Sequence, residues 1–381
     1  MIFVVGPRQV GKTFLCTDIP LEHHYYNWDN QDHRRLIVDG PRRISEEIGL
    51  GQLSEEPRVI VFDEIHKYAK WKDFLKGFFD VYGPKSRIIV TGSSRLDVVK
   101  RGGDSLMGRY FLYHLHPLSV REIMGPVPRD AEIHPPLPID RQTMEALYGF
   151  GGFPEPFLKA NPRFSNRWKR LRQQQLFTED MRDFTRVQEV SQIELLAETL
   201  KYQTGQLVSY TNLANKVRVS VDTVRRWITI LESLYYCFTI RPWSRNLPRS
   251  LLKQPKVYLW DWSVLDDPGA KMENFVASHL LKAVHWWTDN GLGEYGLYFL
   301  RDKEKREVDF LVTRNRKPWF LVEVKAEEKR HLSKDLFYFQ KQTGAPHAFQ
   351  GSFSMDYVSA DCFQTDRPTI VPVSTLLSQL V

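Results

Sequence analysis

Residues 2–15 read IFVVGPRQVGKTFL, and this stretch decides the architecture of the N-terminal part of the chain. Gly6, Gly11, Lys12 and Thr13 satisfy G-x-x-x-x-G-K-[ST], the pattern of a phosphate-binding loop. Glycines let backbone N–H groups curl around phosphate oxygens, Lys12 reaches the outer phosphates, and the Thr13 hydroxyl ligates Mg2+. The whole loop, Gly6, Pro7, Arg8, Gln9, Val10, Gly11, Lys12 and Thr13, is the expected nucleotide contact. Its flanks agree: IFVV is an apolar strand and KTFLCTDI begins a helix, the context the pattern needs.

Downstream, RVIVFDEIHK (58–67) is a second apolar strand ending in two acids. Asp63 would hold the Mg2+ through water, and Glu64 would polarise the attacking water as general base. The bland alternative is a buried strand followed by a helix-capping acid. A third strand, SRIIVTGSS (86–94), ends in small polar residues, of which Ser93 is the candidate sensor of the γ-phosphate. Thr91 or Ser94 would serve equally, as would a plain strand-end turn. Arg109 stands just before a fourth apolar run, placed to neutralise transition-state charge on a neighbouring subunit's nucleotide. Arg8 and Arg95 are weaker rivals, and a surface arginine is the plain reading. Residues 1 to about 122 thus read as an α/β nucleotide-hydrolysing core with a mostly parallel sheet and its site at the strand C-termini.

GPRQVGKT (6–13), DEIHK (63–67) with WKDFLKGFFD (71–80), VTGSSRLD (90–97), GGDSLMGRY (102–110) with LHPLSVREI (115–123), and GGFPEPF (151–157) together resemble a widespread prokaryotic family of AAA+ type ATPases. The resemblance spans nearly the whole chain. It implies ATP and Mg2+ as cofactors, a helical lid after the core, an assembly of several copies, hexameric in AAA+ relatives, and a restriction-endonuclease-like domain of unknown function at the C-terminus. Such proteins usually carry a helix before the first strand, whereas this chain starts inside that strand; the expectation is a truncated or misassigned start.

GPVPRDAEIHPPLPID (125–140) holds five prolines, too many for a continuous helix or central strand, so it reads as an extended connector. Residues 166–200 are helical by their three- and four-residue apolar steps, with a basic cluster, Arg167, Lys169, Arg170 and Arg172, expected on a solvated face, phosphate contact being the other reading. In SYTNLANKVRVSVDTVRRWITILESLYY (209–236), YTNLANKV is a first helix, RVS a tight turn, and VDTVRRWITILESL a second helix capped by Ser220. Val224, Trp227, Ile228 and Leu231 share a face that would pack on Leu213 and Ala214. This is a helix-turn-helix layout, exposing Val221, Asp222, Thr223, Arg225 and Arg226. Thr223, Arg225 and Arg226 are the candidate DNA contacts, with a lid or docking surface as the other use of such a fold. YYCFTIRPWSR (235–245) can add the strands of a winged variant.

Beyond KQPKVYLWDW (253–262) the pattern turns to strands with one long helix, GAKMENFVASHLLKAV (269–284), whose buried face is expected to use Phe275, Ala277, Leu280, Leu281 and Val284. EVDFLV (307–312) and WFLVEVKA (319–326) flank TRNRK as a β-hairpin. Glu323 and Lys325 are two apart and share a face; a turn centred near Arg316 puts Asp309 opposite Glu323. Glu273, Asp309, Glu323 and Lys325 resemble the site of PD-(D/E)xK phosphodiesterases. That resemblance implies a second divalent metal on Asp309 and Glu323, aided by Glu273, with Lys325 orienting water. A charged strand face with a Glu–Lys pair is the bland alternative.

The expected organisation is an α/β fold in five parts: a P-loop AAA+ ATPase core (1–124), a Pro-rich connector (125–145), a helical lid (146–200), a winged helix-turn-helix (201–247) and a restriction-endonuclease-like domain (248–381). Lys and Arg outnumber Asp and Glu by 53 to 46, a net charge of +7, which permits a nucleic-acid partner without requiring one. Cys16, Cys237 and Cys362 have neither metal spacing nor a disulfide framework, as in a reducing cytoplasm. No apolar run approaches the roughly 20 residues of a membrane span, so no membrane partner is expected. Two functions stand: an ATP-driven machine acting on DNA, whose C-terminal domain docks or cleaves it, or a nucleotide-gated regulatory protein whose C-terminal domain is inert.

Overall fold

The computed structural model describes residues 1–51, 56–92, 106–181, 189–244, 254–326 and 331–381. They form two compact units, Met1–His116 and Pro117–Val381.

The first unit is built on five parallel strands, β1 (Ile2–Val5), β2 (His23–Asn27), β3 (Arg58–Asp63), β4 (Ser86–Gly92) and β5 (Phe111–His114), in the order β2-β3-β4-β1-β5. A parallel sheet is covered on both faces, so its central strands are near-continuous apolar runs; β3 buries all but its first residue. The helix Trp71–Tyr82 buries Trp71, Phe74, Leu75 and Phe78, one stripe at three- and four-residue spacing. These side chains join Phe3, Val5, Ile60, Phe62 and Val90 in a single core.

The second unit holds a mixed sheet of seven strands in the order β12-β11-β10-β9-β8-β6-β7. These are β6 (Cys237–Pro242), β7 (Lys256–Leu259), β8 (Tyr295–Arg301), β9 (Glu307–Arg314), β10 (Lys317–Lys325), β11 (His347–Ser352) and β12 (Thr369–Pro372). β6 runs antiparallel to β7 and parallel to β8, so the strands considered for a wing extend the C-terminal sheet instead. The helix Pro268–Asp289 buries Phe275, Val276, Ala277, Leu280, Ala283 and Val284; Leu281, expected among them, is half-buried at the margin. β9 and β10 turn at Asn315 and Arg316, both with positive φ (49° and 64°), the conformation that matches a tight hairpin to strand twist.

Helices Tyr210–Val217 and Val221–Ser233 are joined by three residues, with the Ser220 hydroxyl accepting from the Thr223 N–H at 3.1 Å. Leu213, Ala214, Val224, Trp227, Ile228 and Leu231 are buried in one cluster. The segment 125–140 contains neither helix nor strand, and it is strapped to its own unit. Trp287 Nε1 donates to Glu132 O at 2.9 Å, and the His134 N–H donates to Gln379 O at 2.9 Å. Helix Val120–Met124 belongs to this unit as well: the Val120 N–H donates to His279 Nε2 at 3.1 Å, and Lys282 Nζ donates to Pro117 O at 2.9 Å. By compactness the break between the units falls after His116.

Candidate functional site

The phosphate-loop residues lie between β1 and the helix Lys12–Thr17. Gly6 has φ 156°, and a Cβ there would stand 2.2 Å from Leu115 O, so the loop start accepts only glycine. Gln9 and Gly11 also have positive φ (63° and 102°). Lys12 is buried, and its ammonium donates to Gly6 O at 2.9 Å and Pro7 O at 2.7 Å, across the mouth of the loop.

Asp63 ends β3 with 1% exposure and gathers three hydroxyls. Thr13 Oγ1 donates to its Oδ2 at 3.0 Å, Tyr25 OH to the same oxygen at 2.5 Å, and Thr91 Oγ1 to Oδ1. Among the described residues this buried acid has no cationic side-chain partner. A carboxylate and a threonine hydroxyl side by side at the strand ends are hard oxygen donors of the kind Mg2+ takes, so these residues fit the ion that the loop implies. Tyr25, on β2, was not singled out from sequence. Asn27 Nδ2 donates to its hydroxyl at 3.2 Å. Burial first, and the hydrogen bond to Asp63 second, push the Tyr25 hydroxyl pKa well up, so it remains a donor.

Glu64 follows with φ 56° and lies 3.2 Å from Lys67 Nζ and 3.8 Å from His66 Nε2. Lys67 also pairs with Asp29 at 2.6 Å. The general-base candidate is thus held by a cation three residues on. Arg109 Nε meets Asp80 Oδ1 at 2.7 Å within its own unit. Ser93 and its rival Ser94, and Arg95, the rival of Arg109, lie outside the described residues.

In the second unit the β9–β10 register pairs Val322 with Phe310 and Leu321 with Leu311; one step further sets Glu323 opposite Asp309. The Val324 N–H donates to Asp309 Oδ2 at 2.8 Å, and Lys325 Nζ pairs with Glu323 Oε1 at 2.6 Å. Three residues not foreseen, Lys256, Tyr258 and Glu307, complete the group. Lys256 on β7, 3% exposed, meets Glu273 Oε1 at 3.1 Å, Glu307 Oε1 at 2.6 Å and Asp309 Oδ1 at 3.9 Å. Tyr258 OH donates to Glu273 Oε1 at 2.6 Å. Burial and the neighbouring Glu273 carboxylate push the Asp309 carboxyl up to about 7, against the pull of Lys256.

The second metal implied for this face is not fitted by the arrangement. The Lys256 ammonium bonds Glu273 Oε1 and Glu307 Oε1 and stands 3.9 Å from Asp309 Oδ1, the Val324 N–H donates to Asp309 Oδ2, and Lys325 pairs with Glu323 Oε1. Glu323 Oε2 is buried without a hydrogen-bond partner, as is the Gln350 amide nitrogen on the adjoining strand. Among the described residues no three His, Cys, Asp or Glu side chains are grouped to hold a metal ion.

Of the DNA-contact candidates, Thr223 is half-buried and bonds Ser220 at 2.8 Å, while Arg225 and Arg226 are exposed. The Arg225 guanidinium lies 5.2 Å from the Tyr210 ring centre, and Arg226 pairs with Glu189 at 3.1 Å. The basic cluster upstream divides. Arg167 and Arg170 are exposed, whereas Lys169 Nζ donates to Ser263 O at 2.7 Å and Arg172 lies over Phe153 at 4.1 Å.

Residues 1–124 match the family model described as an AAA domain; residues 141–267 and 268–376 match two domains of unknown function, DUF8612 and DUF4143. Uncharacterized proteins of Mycobacterium bovis and Mycobacterium tuberculosis are each 23% identical over 334 residues, covering 84% of this chain and 69% of the relative. A solved structure titled as the Aeropyrum pernix Orc1 protein in complex with DNA overlaps 74% of this chain and 87% of its own at 14% identity, with a TM-score of 0.31. The N-terminal unit is accordingly an AAA-type P-loop domain. No helix among the described residues is long and apolar enough to cross a membrane.

Proposed function

We propose that this protein is an ATP-hydrolysing AAA+ ATPase that acts on nucleic acid. The observation that carries the first half is the convergence of Lys12, Thr13 and Asp63 at the C-terminal ends of parallel strands, behind a loop whose first glycine cannot be replaced. Bound Mg2+ would offset charge on the phosphates. Lys12 would leave the Gly6 and Pro7 carbonyls for the phosphate oxygens. Thr13 and Asp63 would hold the ion, and Glu64 would accept the proton of the water attacking the γ-phosphorus as ADP departs. Arg109, released from Asp80, would supply a positive charge to the nucleotide of the next copy in a homo-oligomer, with a hexamer as the expected size.

The nucleic-acid half rests on the helix pair 210–233, read as a helix-turn-helix, which exposes Arg225 and Arg226 at the start of its second helix. The test is binding of the full chain to duplex and single-stranded DNA over a range of salt. Affinity should fall steeply, each neutralised phosphate contributing about −0.9 to the log–log slope. Replacing Arg225 and Arg226 by Ala should flatten that slope by up to about 2. No salt-sensitive affinity for any DNA or RNA would hand the function to the other reading, a nucleotide-gated regulatory protein. The capture of Arg226 by Glu189 is the observation on that reading's side.

A further inference from the structure

We propose that the Lys256 ammonium is the resident cation of the acidic face on the C-terminal sheet, compensating carboxylates that a divalent metal would otherwise hold, so that this face does not support metal-dependent cleavage. The proposal goes beyond the ATPase reading and does not depend on it.

Four carboxylates come together from three elements: Glu273 from the helix Pro268–Asp289, Glu307 and Asp309 from β9, and Glu323 from β10. Such a group is not stable with its charges uncompensated in a buried setting. A divalent ion is one solution and a buried ammonium is another. Lys256 is 3% exposed, with Nζ at 3.1, 2.6 and 3.9 Å from Glu273, Glu307 and Asp309, three acids from two elements. Its fourth side faces the Phe299 ring, 5.6 Å to the centre. The lysine side chain is enclosed, at 3% exposure, and its backbone is held in β7 opposite Ile240. Arg301 takes the remaining charge of Glu307, and Lys325 that of Glu323. Glu323 Oε2 is buried without a hydrogen-bond partner and Asp309 Oδ1 has the ammonium at 3.9 Å, so a metal approaching these oxygens would meet an ammonium already paired with Glu273 and Glu307. Two cations in one pocket repel each other, so the Lys256 ammonium weakens metal binding there.

The experiment is Mn2+ binding to the full chain without nucleotide, followed by electron paramagnetic resonance and by hydrogen exchange of peptides covering β7, β9 and β10. The wild type should show no Mn2+-dependent protection in those peptides. Lys256→Gln, which removes the ammonium and leaves the carboxylates, should gain Mn2+ affinity by at least about tenfold, with protection that Asp309→Asn abolishes. If Lys256→Gln is unfolded alone, Mn2+ should restore its structure, whereas in the Lys256→Gln/Asp309→Asn double variant it should not. Asp309-dependent Mn2+ binding by the wild type overturns the proposal. So does a folded Lys256→Gln variant that gains none. Neither outcome bears on ATP turnover, which is read separately.

Discussion

Asp63→Asn is the perturbation that probes the nucleotide site most locally. The substitution preserves size and keeps one oxygen, but it places an amide nitrogen against hydroxyls that now donate to a carboxylate. Asp63 accepts from Thr13 at 3.0 Å, from Tyr25 at 2.5 Å and from Thr91. Hydroxyls can rotate, so the bonds weaken from charge-assisted to neutral rather than disappear, at about 1 kcal/mol each. Three such losses come to about 3 kcal/mol, and relief from burying the charge returns part of that, leaving about 2 kcal/mol. Native-state hydrogen exchange localises the effect: amides of β1, β3 and β4 should exchange about 30-fold faster, and those of β8 to β12 should not change. ATP turnover should fall too, with a higher Mg2+ requirement. Unchanged exchange in β3 and β4, or wild-type turnover at wild-type Mg2+, would refute the reasoning that this acid organises the site.

Lys12→Ala should abolish nucleotide binding measured by fluorescent-analogue titration, whereas Glu64→Gln should bind ATP and turn over at least ~100-fold slower, the scale of a general base. If Arg109 acts on a neighbouring copy, activity per protein should rise with concentration, and Arg109→Ala should lose turnover while keeping ATP affinity. A proven monomer with concentration-independent activity would remove it. His279 is fully buried, accepting from the Val120 N–H and donating from Nδ1 to Phe275 O at 2.7 Å, and burial lowers its pKa from 6.5 to about 3. A depressed folded pKa gives stability that is present above about pH 6.5 and drains away as pH falls, since the unfolded chain takes the proton first. The second unit should lose about 3 kcal/mol on this account between about pH 7 and pH 4, and His279→Gln should shrink that difference in acid-unfolding curves.

How far the molecule was legible follows from where each residue's partners lie. The runs IFVV, RVIVFD and SRIIVT announce buried parallel strands because both faces are covered. β2, with the sequence HHYYN, does not: it is an edge strand of half-buried polar and aromatic residues, and Tyr25 was lost with it. The helix pair at 210–233 was legible because its cap and its apolar stripe are both local signals. The register of Asp309 against Glu323 was expected from a turn centred near Arg316; the turn falls at Asn315 and Arg316, and a one-residue shift between Pro318 and Phe320 brings the strands into that register. Lys256, Tyr258 and Glu307 were not legible, since their meeting depends on β7 reaching this sheet through β6 and β8, a pairing that no local pattern encodes. The inward turn of Lys169 and Arg172 escaped for the same reason: their partners Ser263 and Phe153 lie on other elements.

The central claim is that ATP hydrolysis in this protein serves nucleic acid, and the most direct measurement is steady-state ATP turnover by the full chain with and without duplex, single-stranded and branched DNA. The account predicts stimulation by at least one of these forms, lost in Glu64→Gln and weakened by salt as binding weakens. Turnover that is robust, Mg2+-dependent and indifferent to every nucleic acid would contradict it.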